Sequence, residues 1–169
     1  MDFSKLLIFS FVLFSLTSCK EDCMTTDWTG NYIGKDFVNK ASNGSTPVAE
    51  PPVDVNVEIT SNTNNQPMGA NLKVKATFLY SSNSPLTIEL FGVATCEKTF
   101  AFYDKGFFDP TQIDANGNKF TTEYTGGSGS FINDSEDVQI VITEKKTFDN
   151  TNLSSQNYTA MHTLKLNKQ

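Results

Sequence analysis

The chain has 169 residues, a formal net charge of −6, 38% hydrophobic residues and 12% aromatic ones. All thirteen of its basic residues are lysine. An acidic chain without arginine lacks the basic footprint that nucleic-acid binding needs, so no nucleic-acid partner is expected. The length suits one domain with a sizeable core.

Chain order begins with a leader. Lys5 gives a positive start, and Leu6 to Leu16 form an apolar run of eleven residues, LLIFSFVLFSL. That is the length of a signal-peptide core, whereas a spanning helix needs about twenty residues. The run ends in Leu16-Thr17-Ser18-Cys19. A cut before Cys19 puts leucine where an ordinary secretory site takes a small residue. The four residues resemble instead the lipobox of bacterial lipoproteins. That resemblance implies removal of residues 1–18, a diacylglycerol on the Cys19 sulfur and acylation of its freed amine. The expected partner is therefore a membrane, reached through lipid at Cys19. Each buried methylene contributes about 0.8 kcal/mol and one chain holds marginally, so two or three chains are enough to anchor the protein.

Residues 19–27 then read as a lipidated tether. Lys20, Glu21 and Asp22 resemble the export signal of Bacteroidota surface lipoproteins, which implies the outer face of the outer membrane. The periplasmic face is the alternative. With Cys19 taken by lipid, Cys23 and Cys96 remain. Outside the cytoplasm they can pair, closing a loop worth about 4 kcal/mol in the chain-entropy model. Two free thiols are the other reading.

Period-two alternation dominates the segment 28–169. Val53, Val55, Val57 and Ile59 share one face, as do Leu72, Val74, Ala76, Phe78 and Tyr80. Leu86, Ile88 and Leu90 follow, then Val138, Ile140 and Ile142, then Tyr158, Ala160, His162, Leu164 and Leu166. Each set predicts a strand with one face to a core and one to water. Turn residues separate them, among them Asn43-Gly44-Ser45, Ser61 to Pro67, Ser81 to Pro85, and Asn116-Gly117, which tolerates positive φ in a hairpin. The expected fold class is all-β, an antiparallel meander of about eight or nine strands closing as a barrel or packing as a sandwich.

Two motifs carry a resemblance. Trp28-Thr29-Gly30-Asn31-Tyr32 opens the domain. Gly127-Ser128-Gly129-Ser130-Phe131 precedes an Asn-Asp turn and the strand Val138 to Glu144. In order and spacing they look like the small lipocalin-like lipoproteins of Bacteroidota. That resemblance implies a barrel and ligand binding at best, with no known chemistry. The chain departs from true lipocalins in lacking the arginine that often packs across the first-strand tryptophan.

Catalysis finds little support, and no catalytic residue, metal or cofactor is expected. The one histidine, His162, falls on the apolar face of the last strand and reads as a hydrogen-bonded, inert core or rim residue. No G-x-S-x-G elbow is present. One histidine without a cysteine cluster does not make a zinc site. Asp114 to Asn118 place oxygen ligands at alternate positions but read as a plain hairpin turn. The Gly127 to Ser130 segment reads as a bulge or tight strand crossing. Acidic residues in the clear strands, Glu58 and Glu89 among them, fall on the solvent face.

Binding is the better expectation. Phe100 and Phe102 point inward, and Phe107 and Phe108 lie just beyond. Either one of that pair plugs the barrel end, or both line the mouth of a pocket or a partner patch. Trp28, Phe102, Phe107 and Phe108 are the candidate ligand-contacting residues. The expected function is a membrane-anchored, non-enzymatic β-domain that binds a small apolar ligand. The alternative is an accessory envelope protein docking on another surface component.

Overall fold

Alternating side chains put an apolar face on each strand, and a single sheet can hide that face by curling until its edges meet. The computed structural model does this. It describes residues 28–43, 45–64, 69–80, 85–94, 98–102, 108–132 and 136–169. The leader, Cys19, Lys20, Glu21, Asp22, Cys23, Cys96 and Phe107 lie outside the described residues, as does the Phe108 side chain.

The described strands are β1 (Gly30–Ser42), β2 (Val48–Ala49), β3 (Val53–Ser61), β4 (Leu72–Leu79), β5 (Leu86–Ala94) and β6 (Thr99–Phe102). They continue as β7 (Phe108–Ile113), β8 (Lys119–Thr125), β9 (Ser128–Phe131), β10 (Val138–Phe148) and β11 (Tyr158–Lys168). A 3-10 helix, Thr151–Gln156, joins the last two. Eight strands form an antiparallel ring in the order β11-β1-β3-β4-β5-β6-β9-β10, which closes where β10 pairs with β11. The fold is therefore all-β, as the alternation and turn spacing predict, and of the barrel and the sandwich it is the closed barrel. β2 rides on the edge of β1, and β7 pairs with β8.

β8 and β9 are one bulged strand. Both pair with β10: Thr125 faces Thr143 and Gly129 faces Ile140, so four steps on one side oppose three on the other. The extra residue falls at Gly126-Gly127, and the local bend lets the strand pair with β7 on one half and β6 on the other. Gly127 is required because a Cβ there would run into the Val141 carbonyl oxygen. Gly129 is required for a different reason, since its missing Cβ makes room for the Phe100 ring.

The interior divides into two halves. One is filled by side chains that exclude solvent completely, including Leu72, Val74, Phe78, Ile88, Ile140 and Leu164. Trp28 caps that half. Its ring stacks on Phe131 at a centroid distance of 4.1 Å and meets Phe100 edge-on at 4.9 Å. The two sequence motifs thus meet in space, with Phe131 lying against the tryptophan. Gly30, at φ +151°, turns the chain between Trp28 and β1, and the Tyr32 hydroxyl donates to the Trp28 carbonyl at 2.9 Å. The spacing of W-x-G-x-Y follows from that bond.

Outward faces carry charge. Lys35 pairs with Asp54 at 2.6 Å and Lys73 with Glu89 at 2.9 Å.

Candidate functional site

The uncapped half of the barrel holds a cavity of about 290 Å³. It opens where β1 and β4 end and β5, β8 and β11 begin. Its apolar lining comes from Val38, Val53, Leu86 and Phe120, and its aromatic walls include Tyr80, Tyr124 and Tyr158. Lys40, Glu50 and Lys146 also line it, with Glu144 and His162 deeper.

Three neighbouring strands build the floor. β11 lies between β1 and β10, and His162 sits opposite Val38 on one side and Ile142 on the other. Asp36 and Glu144 are each two positions along, on the same inward face, so both are diagonal neighbours of His162. Diagonal neighbours are within reach of long side chains. The His162 Nδ1 donates to Asp36 Oδ2 at 2.7 Å, and Nε2 donates to Glu144 Oε2 at 2.9 Å. The Tyr158 hydroxyl donates to the other Glu144 oxygen, Oε1, at 2.7 Å. His162 is 2% exposed, Asp36 0% and Glu144 9%.

Burial and pairing compete at these groups. Burial alone would lower the His162 pKa, but the hydrogen bonds to Asp36 and Glu144 outweigh it and push it up to about 9. His162 is therefore an imidazolium at neutral pH, with both nitrogens donating to carboxylates. Burial likewise works to raise the Glu144 carboxyl, and the bonds from His162 and Tyr158 hold it below its ordinary value instead. Glu144 thus faces the cavity as a carboxylate. Burial, with Glu144 next in effect, pushes the Tyr80 and Tyr158 phenols well up and keeps them neutral. Asp36 Oδ1 is buried with no hydrogen-bond partner among the described residues. An orphaned buried acceptor costs about 1–3 kcal/mol, which packing alone gives no reason to bear.

The mouth has its own chemistry. The Lys40 ammonium lies 4.0 Å from the Tyr158 ring centroid and 3.4 Å from a Glu50 carboxylate oxygen. The Lys146 ammonium lies 3.6 Å from the Phe120 ring centroid and 5.0 Å from that of Phe148. Partial burial lowers the Lys146 pKa; Glu144, next in effect, works against that and Lys40 adds to it.

Placement of the expected residues is mixed. Trp28 and Phe102 are buried in the filled half, and neither lines the cavity. Phe100 and Phe102 do point inward, meeting edge-on at 5.1 Å. His162 is the buried, hydrogen-bonded residue its strand position implies. Asp114 spends its carboxylate within the hairpin turn, on the Asn116 and Asn118 amides and the Asn118 side chain. Among the described residues no cluster suited to a metal ion occurs. Asp36, Glu144, Lys40 and Lys146 were not among the candidates. Strand parity could have found two of them: Asp36 shares a face with Tyr32 and Val38, and Glu144 continues Ile140 and Ile142. Both are buried charges on an apolar face, and such residues are almost always paired. No known protein-family model matches the chain, and no curated protein is similar to it.

Proposed function

We propose that this chain is a lipid-anchored envelope protein whose non-enzymatic barrel binds a small molecule in the open half of its interior. One observation carries the reading: a cavity of about 290 Å³ with a carboxylate held in place by two neighbours on its floor. Ligand sites combine apolar walls with a few placed polar groups, and this cavity does so. A wholly apolar ligand would strip water from the acceptor sites that His162 and Tyr158 leave open on Glu144, so the ligand has an apolar body and a polar end. The chemistry of His162 supports binding over catalysis. Both of its nitrogens are engaged and it is already protonated, so it offers no free base.

The anchor rests on Leu16-Thr17-Ser18-Cys19, and the surface address on Lys20, Glu21 and Asp22. Trp28 lies at the capped end of the barrel, so a tether from Cys19 would join the domain at the end opposite the cavity mouth. Nine tether residues span at most about 30 Å, which keeps the capped end near the surface that holds it.

Native mass spectrometry of protein extracted from its own membranes tests the binding. A bound small molecule is expected and should be lost in Glu144→Gln. Protein that carries none, and takes up none from a membrane or medium extract, would count against the reading. Labelling with an alkyne fatty acid tests the anchor and should vanish in Cys19→Ala. Protease shaving of intact cells tests the address: protection, unaltered when Lys20, Glu21 and Asp22 are replaced, would favour the periplasmic face.

A docking role has one observation in its favour. Ile33, Phe37 and Met161 are 47%, 38% and 46% exposed on the outer face of β1 and β11. A photo-crosslinker at Phe37 in living cells would capture an envelope partner under that reading and nothing reproducible under the first.

A further inference from the structure

The ionised groups around the cavity are sorted by depth. His162 and Glu144 form the floor and Asp36 lies beneath it, bonded to His162, with side chains 2%, 11% and 0% exposed. Lys40 and Glu50 stand at the mouth, with side chains 36% and 46% exposed, and Lys146 lines the same rim. Two carboxylates and one imidazolium leave this buried cluster, the floor with Asp36 beneath it, at one net negative charge. Two ammonium groups and one carboxylate leave the mouth at one net positive charge. The six groups sum to zero, so the cavity presents a dipole along the barrel axis and attracts neither sign as a whole.

Both poles have bonding capacity to spare. Each Glu144 oxygen accepts one protein hydrogen bond, while an ionised carboxylate has about four lone-pair sites. The Lys146 ammonium rests on aromatic faces and makes no ion pair among the described residues. A cation alone would enter past two lysines. An anion alone would end against Glu144. A molecule carrying both charges, oriented against the dipole, satisfies both ends at once.

We propose that the ligand is a small zwitterion, its ammonium bound by Glu144 at the floor and its acid group by Lys146 and Lys40 at the mouth. Its apolar body lies against Tyr80, Phe120 and Tyr124. The volume, close to the lower bound of about 300 Å³ for small-molecule sites, suits a molecule the size of a single amino acid. This inference rests on the reading of the cavity as a small-molecule site.

Calorimetry on the full chain purified in detergent at pH 7 tests it with four probes. L-phenylalanine, 2-phenylethylamine and 3-phenylpropionate share a ring and differ in their charges, and N-phenyl-1-naphthylamine reports a neutral apolar occupant. L-phenylalanine, or an equimolar pool of the twenty amino acids competing with the naphthylamine, should bind at least tenfold tighter than either singly charged probe. Glu144→Gln should weaken that binding at least tenfold. Lys146→Met, a change at the rim that leaves the floor intact, should weaken it comparably without weakening phenylethylamine. If a singly charged probe binds as tightly as the zwitterions, or only the naphthylamine binds, the zwitterion is wrong and the small-molecule site stands. If none of the probes and no member of the pool saturates a folded protein, both readings fall.

Discussion

Asp36 and His162 are 126 positions apart and share a 2.7 Å hydrogen bond across the seam between the first and last strands of the barrel. Glu144 holds the other nitrogen of the same imidazole from β10. One side chain therefore ties together three adjacent strands, at the depth where the filled half of the barrel gives way to the cavity. Under the proposed function the bond also steadies, through His162, the Glu144 carboxylate that a ligand would meet.

Stability should fall as pH rises through the neutral-to-alkaline range. His162 binds its proton more tightly folded than unfolded, with a pKa of about 9 against an ordinary 6.5. Its contribution is complete below 6.5, where both states are protonated, and is lost as pH climbs to 9. The loss is on the order of 3 kcal/mol. Glu144 runs the other way: its pKa is lowered on folding, so its contribution is present above the ordinary carboxylate range and lost as pH falls below it. Urea denaturation at intervals between pH 5 and 10 should show a decline above 6.5 that His162→Gln abolishes. A parallel decline in that variant would show that the slope has another source.

Removing one member of the network should cost more than removing a surface pair. Asp36→Asn and His162→Gln each strand a buried partner, and breaking a buried pair costs about 3–5 kcal/mol. The double variant should be less unstable than the sum of the two, because the second change removes a charge already stranded. A double-mutant cycle with a coupling below about 0.5 kcal/mol would mean that Asp36 and His162 do not depend on each other.

The two required glycines should respond differently to rescue. Gly127→Ala drives a methyl into the backbone oxygen of Val141, which cannot rotate away. Gly129→Ala drives one into the Phe100 ring, a side chain. Overpacking costs about 1–3 kcal/mol or more. Phe100→Leu should recover part of the loss at Gly129 and none at Gly127. Equal recovery at both sites would contradict the bulge geometry. Thermal denaturation of the four variants decides between these outcomes.

Trp28 is the sole tryptophan, and it is 2% exposed at the capped end. Its fluorescence should be blue-shifted in the folded protein and move to the red in a single cooperative transition. Trp28→Ala should cost about 3–5 kcal/mol through the lost ring and the cavity left behind. A ligand in the open half should leave the emission maximum nearly unchanged. A large shift on binding would place that ligand at the tryptophan instead.

Much of the strand framework was legible in the chain itself. Val53 to Ile59, Leu72 to Phe78 and Val138 to Ile142 alternate so regularly that their buried faces follow from parity. The same holds for the Asn116-Gly117 hairpin, whose Gly117 adopts φ +82°, while the Gly127 to Ser130 segment, which reads as a bulge or a tight crossing, has its bulge at its start, at Gly126-Gly127. These are local properties, set by which residues lie two apart and which tolerate a given φ. What lies across a strand is not local. Register brings Asp36 and Glu144 to the two sides of His162, and closure of the ring brings β1 beside β11. The tertiary structure alone decided that Trp28 and the aromatic Phe100, Phe102 and Phe131 fill one half of the interior, and that the polar cavity occupies the other. The sequence by itself determined a β-fold and its inward faces, because alternation needs only neighbours along the chain. The site was decided by cross-strand contacts, from His162 to Glu144 within the last hairpin and from His162 to Asp36, 126 positions away, across the seam that only the closed barrel makes.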